Sequence, residues 1–198
     1  MELILASGSP RRSEILSMLT LRYRVQTSHV DEEEILLTMP QASPKELVQR
    51  LSSAKSQAVA GALDSGLVLG ADTVVALEGE IYGKPVDEQD LRRMMQAFSG
   101  KTHQVFTGVT LTQAAGKHSV SLTAVTEVTF RAISDEEMEW YVAHADYLDK
   151  AGGYAIQEHA ALFIEGIQGC YYNVMGLPVQ ETLMLFQLMG TSWQAFGS

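Results

Sequence analysis

Apolar and polar positions follow two different periods along this chain, which predicts both strands and helices. Short apolar runs between polar segments indicate buried strands, and the period-2 pattern of residues 126–130, within the run 120–130, indicates a half-buried one. The predicted strands lie at 3–5, 23–25, 67–69, 74–77, 104–112, 120–130, 161–167 and 171–174. A turn at 114–117 joins the two longest. Helices are predicted between the strands, an order that is compatible with an α/β protein.

Local signals mark where the helices begin. Ser43-Pro44-Lys45-Glu46 and Ser134-Asp135-Glu136-Glu137 are capping boxes, and a capping residue also precedes the segment 88–98. Further helices are predicted to start at Pro10 and after 176–178.

The longest helix is predicted to run from residue 43 to about 63. Its expected inner stripe consists of Leu47, Leu51, Ala54, Ala58 and Ala62. Lys55 falls at the edge of this stripe, where a lysine usually extends its ammonium group to water. The alternative is that Lys55 reaches into a cleft.

Length and composition predict a globular protein, because 198 residues with 46% hydrophobic and 19% charged positions can bury a sizeable core. We expect one domain at 1–190, in two lobes, and a frayed tail at 191–198, although Trp193 and Phe196 of this tail could dock on a surface. The net charge of −10 argues against nucleic-acid binding. Cys170 is the single cysteine, so an internal disulfide is excluded. No signal peptide or long apolar run is present, so we expect a cytoplasmic protein without membrane association.

The segment from Leu3 to Leu16 predicts a phosphate-binding loop. A buried strand runs into Ser7-Gly8-Ser9, and Pro10 then occupies the first helical position, with Ser9 as the N-cap. Backbone N–H groups, hydroxyls and a helix N-terminus therefore meet at one point, which favours an anion. Arg11 and Arg12 follow in the first turn, where positive charge opposes the helix dipole. Solvated surface arginines remain the alternative.

Two acidic segments suggest further chemistry. Asp72 interrupts an apolar strand, and burial of an unpaired carboxylate is costly, so it needs a cation, a metal or a catalytic role. A hydrogen-bonded structural aspartate is the alternative. The run 31–34 is expected to be a solvated loop, although one of its carboxylates could hold a divalent cation beside phosphates.

Two later loops supply further candidates. Lys84 lies on a stiff loop between Gly83 and Pro85 and could point into the same cleft. Gln157 follows the glycine-bearing loop 149–154, which we expect to run into a short strand. Its side-chain amide can both donate and accept hydrogen bonds, which suits recognition of a base edge.

Five motifs in this order and spacing resemble the Maf family of nucleoside triphosphate pyrophosphatases. They are Ala-Ser-Gly-Ser-Pro-Arg-Arg at 6–12, Gly-Ala-Asp-Thr at 70–73, Gly-Lys-Pro at 83–85, Ser-Gly-Lys-Thr-His at 99–103 and Asp-Lys-Ala-Gly-Gly-Tyr at 149–154. The resemblance implies an elongated mixed β-sheet with flanking helices and two lobes around a central cleft, related to the inosine triphosphatases. Lys150 and Gln157 resemble the branch that acts on dTTP and UTP, whereas the 7-methyl-GTP branch typically has another residue at position 150.

The resemblance also implies site residues. The matching cleft positions are Ser7, Arg11, Arg12, Glu32, Lys55, Asp72 and Lys84. Asp72 matches the proton acceptor, with Lys55 and Lys84 also catalytic. Ser7 and Arg12 would bind substrate, and Arg11, Thr73 and Gln157 match positions assigned to substrate choice. Glu32 and Asp72 are the candidate metal ligands, although three consecutive glutamates leave the register open.

The expected activity is hydrolysis of dTTP or UTP, or of modified pyrimidine nucleotides, to the monophosphate and pyrophosphate. The expected cofactor is a divalent cation, Mg²⁺ before Mn²⁺ or Co²⁺. Two alternatives stay open: a non-catalytic nucleotide-binding regulator of cell division, and a pyrophosphatase of the 7-methyl-GTP branch. The nucleoside triphosphate is the expected partner, and the sequence leaves a homodimer open.

Overall fold

Helices and strands alternate along most of the chain in a computed structural model that describes residues 1–114 and 118–197. The strands are β1 (Leu3–Leu5), β2 (Tyr23–Val25), β3 (Leu67–Leu77), β4 (Glu80–Tyr82), β5 (Thr102–Gln113), β6 (Ser119–Phe130) and β7 (Ile164–Gln168). The α-helices are α1 (Pro10–Met18), α2 (Glu32–Thr38), α3 (Pro44–Ala60), α4 (Glu88–Phe98), α5 (Asp135–His144), α6 (Tyr171–Met175) and α7 (Val179–Leu188). Across these described residues, none of the helices combines the length and apolar character needed to span a membrane.

The strands form a mixed sheet in the order β2-β1-β3-β5-β6-β7, with β4 paired to β3. Pairing of β1 with β2 and with β3 is parallel. Pairing of β3 with β4 and of β6 with β7 is antiparallel. The predicted α/β class with a mixed sheet and flanking helices is therefore confirmed.

The chain divides into two compact units, and three long strands contribute residues to both. The first unit comprises Met1–Asp72, Thr107–Ala124 and Gly176–Ser198, and the second comprises Thr73–Phe106 and Val125–Met175. A central cleft stays a prediction.

In the first unit, α3 packs closely on the sheet because two glycines face it. A Cβ atom on Gly108 would lie 2.3 Å from the Val48 carbonyl oxygen, and one on Gly70 would lie 2.3 Å from that of Ser52. Hydroxyl groups fill the same interface: Ser52 hydrogen-bonds Thr110 at 2.9 Å. The face of α3 that packs on the sheet therefore includes small side chains and is partly polar.

The second unit has a core rich in aromatic side chains from the sheet, α4 and α5. Phe98 packs edge-on against Phe130 and Tyr154. His103 stacks on Phe98 and hydrogen-bonds the Tyr154 hydroxyl at 2.7 Å through Nε2. Burial lowers the pKa of His103 to about 4, so this histidine is neutral at pH 7.

The capping predictions are confirmed. Ser43 and Ser134 each form both hydrogen bonds of a capping box, and Asp87 accepts the Asp90 N–H at the start of α4. Ser9 occupies the N-cap position of α1, but its side chain makes no cap hydrogen bond.

Several strand predictions are wrong or need correction. The segment 171–174 lies in α6, and the loop after residue 149 contains 3₁₀ turns at Ala151–Gly153 and His159–Leu162 instead of entering a short strand. The last strand begins at Ile164, three residues later than predicted. The strands expected on either side of Gly70–Thr73 are one continuous β3. The turn predicted at 114–117 lies, apart from Ala114, outside the described residues.

Two predictions about exposed segments are also wrong. The acidic run is the first turn of α2, because Asp31 caps it by accepting the Glu34 N–H at 3.0 Å. As far as residue 197 the tail is not frayed: Phe196 is buried, which agrees with the alternative that it docks, and its carbonyl accepts the Arg22 N–H at 2.7 Å.

The close approach of α3 predicts the effect of Gly108→Ala. The added Cβ would meet backbone, which cannot rotate away, so the free energy of unfolding should fall by about 1–3 kcal/mol or more. Urea denaturation measures this. Gly166→Ala in β7 is the matched control, since a Cβ there meets nothing within 4 Å, and it should be nearly neutral. Equal stability of both variants would contradict this packing.

Candidate active site

The loop between β1 and α1 holds Arg12 in a fixed orientation. Ser7 is buried two residues after the end of β1, and its Oγ accepts a hydrogen bond from Arg12 Nη1 at 2.9 Å. Arg12 Nε donates to the Gly176 carbonyl at 2.8 Å. Because the Ser9 side chain does not cap α1, this helix start keeps its affinity for an anion.

Burial and the neighbouring Arg11 both disfavour the positive charge of Arg12. Burial lowers the pKa of Arg12, the Asp72 carboxylate opposes that shift, and neighbouring Arg11 adds to it. An arginine remains charged in spite of such a shift. Two adjacent guanidinium groups at a helix start therefore form a local positive site in a chain of net charge −10.

Lys55 occupies the centre of the buried face of α3 and lies between two carboxylates. Its Nζ is 2.5 Å from Asp72 Oδ1 and 2.9 Å from Glu32 Oε1. A lysine at the edge of an apolar stripe usually extends its ammonium group to water, and this expectation is wrong for Lys55. The side chain reaches the carboxylates instead.

The predicted stripe of α3 is wrong in its C-terminal half. Ala54 is only half-buried and Ala58 is exposed, while Ser52 and Ser56 are buried. The face toward the sheet thus contains hydroxyls that hydrophobic periodicity does not mark as buried. Lys55 lies on this buried face together with Ser52 and Ser56.

Asp72 lies in the middle of β3 and is 6% exposed. Burial raises its pKa above the ordinary value of 3.8, and the Lys55 ammonium opposes that shift. The result is a carboxylate whose charged form is favoured by Lys55 and, more weakly, by Arg12, and that binds a proton more readily than an exposed aspartate. Such a group is suited to accept a proton from water.

In the second unit, a backbone hydrogen bond connects the loop that contains Lys84 with the loop that precedes Gln157. Lys84 is exposed and follows Gly83, whose carbonyl accepts the Gly152 N–H at 2.8 Å. Gln157 is exposed at the end of the segment that contains Gly152, and Thr73 is half-buried on β3.

Two residues that the sequence analysis named without a structural role support the candidate site residues. Lys150 is buried, and its ammonium lies 2.8 Å from Asp149 and 3.6 Å from both Asp146 and Glu158. It stabilises the segment that ends at Gln157, and the Asp-Lys pair in its motif was the available signal. Gly176, whose carbonyl holds Arg12, was interpreted only as part of a helix start.

The carboxylates of Glu32 and Asp72 converge on the same ammonium group, so they are near enough to act on one cation. In residues 1–114 and 118–197, no group of three or more His, Cys, Asp or Glu side chains could hold a metal. Mg²⁺ is often bound by one or two carboxylates and completed by phosphate oxygens and water. The residues present therefore fit a site of this kind and do not fit an all-protein cage.

The buried ion pair predicts the effect of Lys55→Met. This change leaves Asp72 buried without its ammonium partner, so the free energy of unfolding at pH 7 should fall by about 3–5 kcal/mol. The pKa of Asp72 would rise further above 3.8. A raised folded-state pKa stabilises the fold below the unfolded value and loses that contribution as pH rises, so the deficit should shrink toward pH 4.

Urea denaturation between pH 4 and pH 7 checks this prediction, and adding Asp72→Asn should restore most of the loss. Lys45→Met, an exposed position on the same helix, is the matched control and should change stability by less than about 0.5 kcal/mol. A deficit that stays constant with pH would contradict the assignment of the loss to Asp72.

Comparison with known proteins identifies the family. The family model described as Maf-like protein matches residues 2–189. A dTTP/UTP pyrophosphatase of Moorella thermoacetica is 45% identical over 188 residues, covering 93% of this chain and 95% of the relative. One of Pelotomaculum thermopropionicum is 42% identical over 190 residues, covering 96% and 97%. This chain therefore belongs to the Maf family.

Proposed function

We propose that this chain hydrolyses dTTP and UTP to the nucleoside monophosphate and pyrophosphate. The observation that carries the proposal is the Lys55 ammonium held between Asp72 and Glu32, in the same unit as the arginine-bearing phosphate loop. The names of relatives at 42–45% identity over nearly the whole chain support the substrate class.

Arg11, Arg12 and the start of α1 neutralise the triphosphate in this proposal. Arg12 is oriented by Ser7, so its position is set before substrate arrives. Charge-assisted hydrogen bonds to phosphate are stronger than neutral ones, and donors held in advance need no reorganisation during the reaction.

Asp72 accepts the proton of the attacking water. A new bond forms between the water oxygen and phosphorus, the bond from phosphorus to the α–β bridging oxygen breaks, and pyrophosphate leaves. Lys55 keeps Asp72 ionised before the reaction, and burial raises the carboxyl pKa so that it can hold the proton. Lys84 supplies further positive charge to the phosphates.

Glu32 and Asp72 would hold the divalent cation, with Mg²⁺ first and Mn²⁺ or Co²⁺ as alternatives. A bound cation would offset phosphate charge. The carboxylates contribute two ligands, and substrate oxygens and water complete the coordination.

Gln157, Thr73 and Arg11 select the nucleotide. The Gln157 amide pairs with the base edge, because an amide presents donors and an acceptor to a pyrimidine. The location that fits this activity is the cytoplasm, with the nucleoside triphosphate as partner and without nucleic acid or membrane.

Pyrophosphate release from dTTP and UTP with Mg²⁺, beside a panel of purine nucleotides and 7-methyl-GTP, tests the proposal. Selective release from the two pyrimidine nucleotides supports it. Binding without turnover would favour a nucleotide-binding regulator, and preference for 7-methyl-GTP would favour the other branch.

Asp72→Asn tests the role of the carboxylate. The variant keeps the shape but loses the proton acceptor, so kcat for UTP should fall by about 10²–10⁴-fold. It should remain as stable as the parent, because a buried charge is removed and Lys55 retains Glu32. Measuring kcat and Tm on one preparation separates chemistry from unfolding.

The exposed Asp64 provides the matched control, and Asp64→Asn should leave kcat unchanged. Near-parental turnover by a folded Asp72→Asn variant would remove Asp72 from the mechanism.

Gln157→Ala tests substrate selection. Loss of one amide contact to the base should reduce the ratio of kcat/KM for UTP to that for GTP by up to about tenfold, the value of a typical hydrogen bond. The fold should be unaffected, since Gln157 is exposed. Gln187→Ala, an exposed glutamine on α7, is the control. An unchanged profile would refute the assignment.

A further inference from the structure

The carbonyl group of Gly176 contacts Arg12 in the first turn of α1, although the two residues are far apart in sequence. Arg12 Nε donates to this oxygen at 2.8 Å across a separation of 164 residues. The same guanidinium donates from Nη1 to Ser7 Oγ at 2.9 Å. Two acceptors on different atoms of one planar group fix both its position and its rotation.

The acceptor carbonyl is itself held rigidly. Gly176, Leu177 and Pro178 are all buried, and Leu177 is fully inaccessible. The Pro178 carbonyl accepts the Thr182 hydroxyl at 2.7 Å and the Thr182 N–H at 3.0 Å, which anchors the segment to the first turn of α7.

Backbone geometry at Gly176 requires glycine. Its φ is +107°, in the left-handed region that other residues rarely adopt. A side chain there would favour a change of φ, and such a change turns the adjoining peptide groups. The direction of the Gly176 carbonyl therefore depends on this residue being glycine.

We infer that Gly176 is a positioning residue for phosphate recognition and acts through Arg12. Without this acceptor, Arg12 would keep only Ser7 from the pair and would lose its set orientation before the triphosphate binds. Preorganisation of a binding group mainly affects affinity, so the effect belongs in KM. This inference rests on the proposed hydrolysis of dTTP and UTP.

The test is a double-mutant cycle with UTP and Mg²⁺ on the parent, Gly176→Ala, Arg12→Ala and the double variant. Gly176→Ala should raise KM by about tenfold or more, the value of a charged hydrogen bond, with kcat within about twofold. In the Arg12→Ala background, the same change should alter KM by less than about twofold. Additive effects on KM would overturn the inference.

Controls separate positioning from general damage to the fold. Gly190→Ala also places a side chain at positive φ, here +70°, with nothing within 4 Å of an added Cβ, and should lower Tm without raising KM. Gly176→Asn is the conservative variant, because asparagine adopts positive φ more readily, and it should recover part of the lost affinity. It also serves if Gly176→Ala does not fold. Equal KM values for the asparagine and alanine variants would count against the inference.

Calorimetry with inorganic tripolyphosphate distinguishes failure of this inference from failure of the proposed function. If the parent hydrolyses neither UTP nor dTTP, the proposed function fails, and the same cycle is measured on the dissociation constant for tripolyphosphate. Non-additivity there supports positioning of Arg12 for phosphate. Additivity, or no binding by the parent, overturns it.

Discussion

The ion pair between Lys55 and Asp72 is the interaction on which the candidate site depends. A carboxylate in the middle of a buried strand is destabilising unless a cation is held against it, and here the cation comes from α3. The ammonium reaches the strand because α3 packs closely on the sheet. That closeness in turn requires glycine at positions 70 and 108, where a Cβ would collide with the helix backbone. The absence of side chains at Gly70 and Gly108 therefore allows Lys55 to reach Asp72.

The same close contact explains why the buried face of α3 is polar. The Ser56 hydroxyl donates to the Val68 carbonyl at 2.7 Å and lies within hydrogen-bond distance of the Thr112 hydroxyl at 2.8 Å, so small hydroxyls replace apolar side chains where space is short. Hydrophobic periodicity treats serine as exposed, and it therefore placed the buried stripe too far toward Ala58. Lys55 was placed at the edge for the same reason. The error concerned which face is buried, while the helix itself was predicted correctly.

Features set by neighbouring residues were predictable, and features set by distant partners were not. Capping boxes act within four residues, so the starts of α3 and α5 could be recognised from sequence. The five-residue α6 has a composition that also suits a strand, and its state is decided by tertiary contacts such as the Asn173 side chain donating to the Val105 carbonyl at 2.9 Å. The start of α2 is an exception to this division, because its cap Asp31 lies three residues from Glu34 and was available in the sequence but was interpreted only as part of an acidic loop.

Candidate site residues were found where a residue type conflicts with its local structure. Arginine at a helix start and aspartate in an apolar strand are both locally unfavourable, and each conflict indicates a compensating partner without identifying it. For Asp72 the partner is 17 residues away, and for Arg12 the backbone acceptor is 164 residues away. A backbone carbonyl is present at every position and so leaves no compositional trace. Gly176 could be recognised only when its positive φ and its contact with Arg12 were seen together. Local conflict therefore predicts which side chains carry chemistry, whereas the groups that orient them follow from the fold.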